Sequence, residues 1–355
     1  MFAADDWLRL ACCPGVGSAA AGRLLREELA PEGVELLRRR VRDAVREEEV
    51  AALRRACAAA GVGVLTPADP AWPPRLREIH DPPPALYVRG DPALLRQPQL
   101  AVVGARRASR RGLSDAGWLA RGLARAGLGV TSGLALGIDG AAHRAALDAG
   151  GATVAVLGAG VDVPYPRIHA ALAEAVARRG LLVSEWPPGT RPARHHFPRR
   201  NRLISGLSLG VIVVEAGDRS GSLITARLAA EQGREVFALP ATARDPGGAG
   251  CHRLIREGAV LVRDLEDVFA ELPEGFRPQR CAGPPREPAP RAAVPDDPVL
   301  AALDAEGTSM EALLARTGLA VPALAARLTE LELDGRVARE GERIVPLPPA
   351  PVGSV

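Results

Sequence analysis

Short apolar runs recur through the middle of the chain at a regular interval. They cover residues 100–103, 128–131, 153–157, 181–183, 211–214 and 236–239, and amphipathic stretches of helical length separate most of them. Runs that are apolar at every position are typical of strands buried on both faces, and alternation with helices is typical of parallel sheets. The pattern therefore predicts an α/β fold of extended Rossmann-like type, with a doubly wound, mainly parallel sheet.

The first 60 or so residues have helical periodicity interrupted by short turns. The turn at residues 14–17 (PGVG) precedes Leu24, Leu25 and Leu29, which share one helical face with Ala20. We expect a helical domain of helix-hairpin-helix or SAM-like type over residues 1–63. Its Gly-x-Gly hairpin suits a nucleic-acid phosphate, and it equally suits a plain turn that needs the φ freedom of glycine.

Proline-rich composition marks the connections between domains. Residues 64–97 are rich in proline and predict a connector wrapped around an α/β domain that spans residues 64–272. Residues 273–297 are again rich in proline and irregular, which is typical of a linker. A small domain is expected over residues 298–346, followed by a tail at 347–355.

The small last domain has the pattern of a winged helix-turn-helix. One helix is predicted over residues 299–303, and Thr308 and Glu311 have the spacing of a capping box for a second helix. A third helix over residues 322–333 precedes two short strands within residues 336–345.

The third helix of this module is acidic. It carries Glu330, Glu332 and Asp334 against Arg327 alone, so phosphate repulsion opposes binding to duplex DNA. We expect the module to bind protein or to fold back on its neighbour.

Composition excludes several classes of protein. The chain has 355 residues, a mean hydropathy of +0.03 and no apolar run of the ~18 residues that a membrane span needs. The absence of lysine excludes P-loop nucleotide hydrolysis and pyridoxal-phosphate chemistry. The N-terminus is acidic, unlike a secretory signal, and the five cysteines include no C-x-x-C pair. We expect a cytoplasmic protein with no cofactor, metal site or disulfide framework.

Four turns rich in glycine and serine follow predicted strands, at residues 104–109, 132–139, 158–160 and 217–222. In a parallel sheet these turns lie together at the carboxyl ends of the strands, where ligands bind. Glycine permits close backbone approach, and helix N-termini favour anions. The sequence therefore predicts one cleft for a ligand that carries phosphate.

A basic segment follows the fourth predicted strand. No acidic residue stands between Glu185 and Glu215, while this stretch contains Phe197 and Asn201 together with Arg191, Arg194, His195, His196, Arg199, Arg200 and Arg202. Arginine neutralises phosphates and phenylalanine stacks on an unpaired base, so the segment indicates binding of single-stranded nucleic acid. The alternative is a solvated loop whose Phe197 packs into the core.

Two enzymatic motifs are weaker. The string G-x-S-x-G at residues 206–210 precedes a strand instead of following one, which does not fit a serine hydrolase. Asp139 and His143 lie four residues apart and could form an acid–base pair. We interpret them instead as a capping Asp and a structural His that is hydrogen bonded to it.

The chain resembles the DprA/Smf family of DNA processing proteins through most of the α/β region. The similar segments include VVGARRAS (102–109), SGLALGIDGAAHRAAL (132–147), HFPRRNRLISGLS (196–208) and VIVVEAGDRSGSLITARLAAEQGREVFALP (211–240). The resemblance implies a non-enzymatic protein that binds single-stranded DNA, protects incoming strands during natural transformation and loads the RecA recombinase. It also implies a homodimer or a larger assembly.

The resemblance assigns a DNA-binding site by position. Together with the basic segment it gives Gly104, Arg106, Ser132, Gly133, Phe197, Arg199, Arg200, Asn201, Arg202, Ser220, Gly221 and Ser222, with Ser205, Thr225, Gly137 and Asp139 as further candidates. The chain departs from the family pattern at Ala105, Ala241 and His252. Ala105 lacks the usual hydroxyl but is expected to keep its backbone N–H for the ligand.

An enzyme of the same broad fold is the alternative, namely a hydrolase or phosphoribohydrolase of a nucleotide derivative. Such an enzyme needs a catalytic carboxylate at the helix start after Gly217, where only Asp218 stands near Ser220, Gly221 and Ser222. A purely structural dimerisation scaffold would leave the basic segment without a role.

Overall fold

The structure is a computed structural model that describes residues 2–13, 17–276, 297–304, 307–340 and 343–346. The chain divides into two compact units, residues 1–279 and residues 280–355, and each is described by itself. The finer division predicted within the first unit, at residues 63–64, stays a prediction.

Four helices open the first unit, as the periodicity predicts: α1 Ala4–Cys12, α2 Gly17–Leu25, α3 Pro31–Ala44 and α4 Glu47–Ala59. Their apolar faces bury Leu8, Leu10 and Val41 in one cluster. Asp6 is buried beside this cluster and pairs with Arg42 at 3.0 Å, which compensates its charge. Residues 14–16, the centre of the predicted hairpin, lie outside the described residues.

A sheet of nine strands forms the centre of the unit. The strands are β1 Gly63–Leu65, β2 Leu86–Gly90, β3 Gln99–Val103, β4 Gly129–Ser132, β5 Thr153–Val156, β6 Leu181–Ser184, β7 Gly210–Val213, β8 Glu235–Ala238 and β9 Val260–Leu261. Their order is β1-β2-β6-β5-β4-β3-β7-β8-β9, and β3 to β9 are all parallel to one another. The six predicted strands and the doubly wound, mainly parallel sheet are confirmed.

Helices cover both faces of this sheet. They are α5 Arg110–Arg125, α6 Ile138–Asp148, α7 Ala170–Arg179, α8 His196–Leu207, α9 Ser222–Glu231, α10 Ala249–Arg256 and α11 Leu265–Glu271. Successive side chains of each strand point to opposite faces of the sheet. Val211 and Val213 pack with α8 and α9, whereas Ile212 packs with α5 and α6. The fully apolar runs in the sequence follow from this burial on both sides.

The proline-rich residues 64–97 are not only a connector. They contain the 3-10 turns Pro74–Arg77 and Pro92–Arg96 as well as β2, which pairs antiparallel with both β1 and β6. Proline excludes a segment from a central strand but is tolerated around a short strand near the edge of a sheet. The short apolar run at residues 85–88, which forms most of β2, was the signal for this strand.

The chain reverses its direction across the sheet between β3 and β7. From β3 the connections proceed outward through β4, β5 and β6, and α8 then returns the chain to β7 on the other side of β3. The turns that follow β3 and β7 therefore separate at their carboxyl ends and leave a crevice.

The second unit contains α12 Pro298–Ala301, β10 Thr308–Ser309, α13 Met310–Thr317, α14 Val321–Leu333, β11 Val337–Glu340 and β12 Arg343–Pro346. Three helices and an antiparallel hairpin confirm the winged helix. The predicted capping box is wrong, because Ser309 caps α13 through Ala312 N–H at 3.2 Å. Thr308 lies in β10, where its hydroxyl accepts from Asp304 N–H at 2.9 Å.

Within the described ranges no single helix is long and apolar enough to cross a membrane. Only α13 and α14 together meet those criteria of length and composition, and the two are bent by 109°.

Replacement of Phe237 tests the packing between β8 and the helices above it. The ring is fully buried, and its edge approaches Gly210 so closely that a Cβ there would lie 2.7 Å from a ring carbon. Phe237→Ala should lower the free energy of unfolding by about 3–5 kcal/mol in urea titrations, because a cavity replaces the ring. Leu36→Ala, at a side chain that is 70% exposed, should change it by less than about 0.5 kcal/mol. Equal effects of the two substitutions would contradict this packing.

Candidate nucleic-acid interface

A cleft of about 800 Å³ lies at the carboxyl ends of β3 and β7, at the point where the sheet reverses direction. Three of the four glycine-rich turns contribute to it, together with the start of α8. Its lining includes Gly104, Ala105, Arg106, Arg107, Ala135, Asp139, Tyr165, Arg194, Phe197, Pro198, Arg200, Asn201, Gly217, Arg219, Ser220, Gly221, Ser222 and Thr225. The sequence thus predicted where these turns converge, and the contact of each residue with DNA stays a prediction.

The first glycine-rich turn is fixed by its own backbone. Ala105 donates its N–H to the Glu215 carbonyl at 2.7 Å, and its carbonyl accepts from Ile138 N–H at 3.2 Å. Gly137 lies under this turn with φ of +75°, where a Cβ would stand 2.2 Å from the Ala105 carbonyl oxygen. The expectation that the Ala105 N–H is available to a ligand is therefore wrong, and Gly137 has a structural role.

Glu215 fixes the adjoining lip of the cleft, a role that the sequence did not reveal. Its carboxylate accepts from the Ser109 backbone N–H at 3.1 Å and from the Ser109 hydroxyl at 2.6 Å. Ser109 in turn caps α5 through Gly112 N–H at 3.0 Å. Arg106 and Arg107 precede this cap, so their backbone is held while their side chains extend into solvent.

Arg200 lies at the floor of the cleft and is only 5% exposed. Its Nη1 donates to the carbonyls of Gly133 and Val156, and its Nε donates to Asn201 Oδ1 at 3.3 Å. Gly133 is required there because a Cβ would stand 2.2 Å from Arg200 Nη2. Burial lowers the pKa of Arg200 to about 10, so the group stays charged at neutral pH. Arg200 lines the cleft, and its Nη2 has no acceptor among the described residues.

Asp139 is the only carboxylate among the described residues that line the cleft. It accepts from the backbone N–H groups of Gly133 at 3.1 Å and Ala135 at 3.3 Å, and burial raises its pKa. These bonds hold the turn after β4 in place. The carboxylate therefore has the predicted structural role, but it binds the turn before α6 and does not cap the helix, whose cap residue is Gly137.

His143 does not bind Asp139, which corrects the second half of that prediction. Its Nδ1 lies 2.7 Å from the Thr153 hydroxyl, which itself donates to the Val130 carbonyl. Thr153 must then accept, so Nδ1 carries the proton. Nε2 is buried and has no hydrogen-bond partner among the described residues. Burial, chiefly, lowers the pKa of His143 to about 3.

Phe197 stands at the wall of the cleft with partly exposed faces. Its ring centroid lies 5.4 Å from that of Tyr165, and the Arg106 guanidinium lies 5.5 Å from it. Gly158 brings its backbone beneath the ring, where a Cβ would lie 3.1 Å from a ring carbon. A recess of about 60 Å³ continues between Tyr165 and Phe197. Phe197 is therefore not a core residue, and Tyr165 is an aromatic neighbour that the sequence analysis missed.

Arg199 and Arg202 differ from their predicted place in an open basic segment. Arg202 is buried and pairs with Glu185 at 2.7 Å and Asp81 at 3.0 Å. Arg199 is half exposed and pairs with Glu185 at 3.2 Å. Neither lines the cleft, because α8 directs them to the side opposite Phe197. The sequence did not reveal these pairs, because Glu185 lies just before the run without acidic residues and pairs with both arginines only in the folded protein.

Ser132 and Ser205 are also directed into the protein. The Ser132 hydroxyl donates to the Val102 carbonyl at 2.6 Å, and the Ser205 hydroxyl to the Asn201 carbonyl at 3.2 Å. Both are fully buried and do not line the cleft. Their predicted ligand roles are therefore replaced by structural ones.

The start of α9 faces the cleft with small and hydroxyl residues. The Ser220 and Ser222 hydroxyls lie 2.7 Å apart, and Thr225 follows one turn later. The first N–H groups of the helix already donate, that of Ser222 to Ser220 Oγ at 3.4 Å and those of Leu223 and Ile224 to the carbonyls of Ser220 and Gly221 at 3.2 Å. Nothing lies within 4 Å of the place where a Cβ of Gly221 would be, so an anion can approach the Ser220 and Ser222 hydroxyls and the positive end of the helix dipole.

Four exposed arginines surround the cleft: Arg106, Arg107, Arg194 and Arg219. Within the part of the chain that the structure describes, no carboxylate lies within 4 Å of them. Arg107 and Arg219 were missed as candidates, although each directly neighbours a predicted one. At the departures from the family pattern, His252 Nε2 binds the Ala241 carbonyl at 2.9 Å, and neither residue lines the cleft.

The buried His143 should make stability depend on pH. Its pKa is about 3 in the folded protein and 6.5 in the reference state, so the unfolded chain binds the extra proton between these values. Stability should therefore fall as the pH drops below 6.5, by at most about 1.4 kcal/mol per pH unit from this residue. Urea titrations of the wild type and His143→Asn should diverge in slope over this range. Parallel curves would contradict the assignment.

Replacement of Arg202 should affect the stability of the fold more than the binding of DNA. Arg202→Met leaves Glu185 buried with only Arg199 as partner, so we expect a loss of about 3 kcal/mol in the free energy of unfolding. The double variant Arg202→Met with Glu185→Gln should recover part of this loss. Unchanged stability with lost DNA binding would show instead that Arg202 is a ligand.

Comparison with known proteins places the chain in a family. Residues 63–273 match the pattern of DNA recombination-mediator protein A, and residues 283–342 match the DprA winged helix domain. Protein Smf of Escherichia coli is 45% identical over 281 residues, which is 77% of this chain and 75% of that protein. DNA processing protein DprA of Streptococcus pneumoniae is 48% identical over 204 residues, or 58% of this chain and 72% of that protein.

Solved structures agree with this assignment. The crystal structure of Streptococcus pneumoniae DprA has a TM-score of 0.61 and 39% identity, and covers 71% of this chain and 86% of its own. A structure of Helicobacter pylori DprA, described for its single-stranded DNA binding mode, has a TM-score of 0.54 and 31% identity, and covers 58% of this chain and 93% of its own. With its α/β core and winged helix both matched, the chain belongs to the DprA family of DNA processing proteins.

Proposed function

We propose that the cleft binds single-stranded DNA. One observation carries the proposal: four exposed arginines without carboxylate partners in the described chain surround a cleft whose wall is the Phe197–Tyr165 pair. Cations that follow a backbone, combined with an aromatic face for bases, are the elements of single-strand binding without sequence readout. The DNA binding described for the Helicobacter pylori relative supports it.

The geometry favours an unpaired strand over a duplex. Phe197 lies on the wall of a cleft, where only a base turned away from pairing can reach its ring. The Arg200 guanidinium and the Ser220 and Ser222 hydroxyls line the same cleft and suit a phosphate oxygen. These features together favour single-stranded nucleic acid, with a base stacked on Phe197 and a phosphate inside the cleft.

The wider role follows from membership of a recombination-mediator family. We infer that the chain protects incoming single strands in the cytoplasm, acts as a homodimer and passes the strand to the RecA recombinase. In the winged helix, Arg327 pairs with Asp297 at 2.5 Å and Arg339 with Glu332 at 2.9 Å, so these two cations are already neutralised. This supports a protein contact for that module over duplex binding.

The geometry gives the alternative enzyme little support. Asp139 is occupied by two backbone N–H groups, and Asp218 faces Arg253 at 3.5 Å, on the far side of the turn after β7. A hydrolase needs a carboxylate or other base within reach of the bound nucleotide. We therefore propose a binding protein and not an enzyme.

Anisotropy titrations with a labelled single strand and a matched duplex, at two salt concentrations, test the proposal. The single strand should bind more tightly, with an affinity that falls steeply with salt. Arg106→Ala and Arg219→Ala should each weaken binding to all sequences alike and lower the slope of log K against log salt by about 0.7. Phe197→Ala should weaken binding at least about five-fold with the slope unchanged.

Arg39→Ala is the matched control, because it removes an exposed charge on α3, outside the cleft. Equal or negligible binding of the wild type to both DNA forms would refute the proposal. A binding change confined to particular bases would argue for sequence readout instead.

A further inference from the structure

Helix α5 begins at the lip of the cleft and leads away from it with an exposed basic face. Its inner side buries Ala116, Leu119 and Leu123 against the sheet. On the outer side Arg111, Trp118 and Arg125 follow one another at intervals of seven residues, which places them within about 20° of one line along the helix. We call the surface formed by Arg111, Ser114, Trp118, Arg121 and Arg125 the α5 stripe.

Trp118 is the unusual member of the stripe. It is 39% exposed, although tryptophan is among the most buried residue types on average. Trp7 and Trp72, by comparison, are 5% and 2% exposed. The exposed part of the indole, among the arginines of the stripe, offers a flat surface for stacking.

The charge on the Ser114 side of Trp118 is positive. Arg121 and Arg125 have no carboxylate within 4 Å in the described part of the chain, and Arg111 makes only an exposed pair with Asp115 at 3.7 Å. The acidic start of α11 lies on the other flank, where Leu265 packs at Gly122. Arg121 and Arg125 are on the flank of Ser114, away from those acids.

The stripe is continuous with the cleft. The Ser109 cap and Glu215 fix the start of α5 beside Arg106 and Arg107, which line the cleft. From this cap Trp118 lies about 14 Å along the helix and Arg125 about 24 Å. A chain of phosphates that leaves the cleft over Arg107 can therefore follow the helix without meeting an unpaired acid.

We propose that the α5 stripe binds the continuation of the same single strand, with one base stacked on Trp118 and phosphates on Arg121 and Arg125. This inference rests on the proposed function of the cleft. A protein partner is the other kind of ligand that tryptophan and arginine favour. Continuity with the cleft, together with Arg121 and Arg125 that have no carboxylate within 4 Å in the described chain, favours the nucleic acid.

Strand length separates the two surfaces in an experiment on the full chain. A single strand of about 6 nucleotides should occupy the cleft alone, whereas one of about 16 nucleotides should reach both. Trp118→Ala should weaken binding of the longer strand about five- to ten-fold and leave the shorter one unchanged. Arg121→Ala with Arg125→Ala should lower the salt slope by about 1.4 for the longer strand only.

Arg39→Ala with Arg40→Ala on α3 removes the same charge elsewhere and should leave both strands unaffected. In a Trp186→Phe background, only the longer strand should quench the fluorescence of Trp118, because Trp7 and Trp72 are buried. Light scattering should give the same mass for Trp118→Ala and the wild type.

Each other result has a distinct meaning. Unchanged binding of the longer strand by the α5 variants, with the cleft variants impaired, overturns the stripe and leaves the cleft intact. Equal losses for both strands also overturn it, since the residues would then act through the cleft. A changed mass identifies a protein interface instead. Failure of the wild type to bind either strand refutes the proposed function itself.

Discussion

One buried guanidinium organises the candidate site. Parallel strands end in carbonyl groups that no longer have a ladder partner, and a buried carbonyl needs a donor. Arg200 supplies it for Gly133, just past β4, and for Val156 at the end of β5. The charge that this places in the interior is balanced by Asp139, which in turn holds the turn after β4. Loss of Arg200 would leave the carbonyls of Gly133 and Val156 without this donor and would leave the buried Asp139 without its balancing charge.

This arrangement explains how α8 serves both the fold and the ligand. Arg200 and Arg202 face the protein, the first toward the strand ends and the second toward Glu185 and Asp81. Phe197, one turn earlier, faces the cleft. The helix that carries the chain across the sheet is thus fixed by ion pairs and hydrogen bonds on one side. It presents an aromatic ring in a defined orientation on the other.

The sequence predicted the parallel strands and the convergence of three glycine-rich turns, because burial on both faces and strand-to-helix turns leave local patterns. β2 was lost among prolines, since its pairing with β6 is set by residues almost a hundred positions later. The sequence predicted an exposed basic segment throughout. Arg199 and Arg202 differ because Glu185, which lies just before the segment, pairs with them only once the helix forms. Charge in sequence does not reveal which side of a helix is buried. The His143–Thr153 bond likewise depends on how α6 packs against the predicted strand β5, which the four-residue spacing of Asp139 and His143 does not indicate.

The cleft lies on the side of the sheet where the parallel strands end, and short turns lie on the opposite side, where the strands begin. Gly127, Gly150 and Gly233 end helices there with positive φ, and open space surrounds each of them. These turns connect helices to the amino ends of strands, which is the far side from every cleft residue. A dye, a tether or an inserted tag can therefore be attached at these turns without obstructing the cleft.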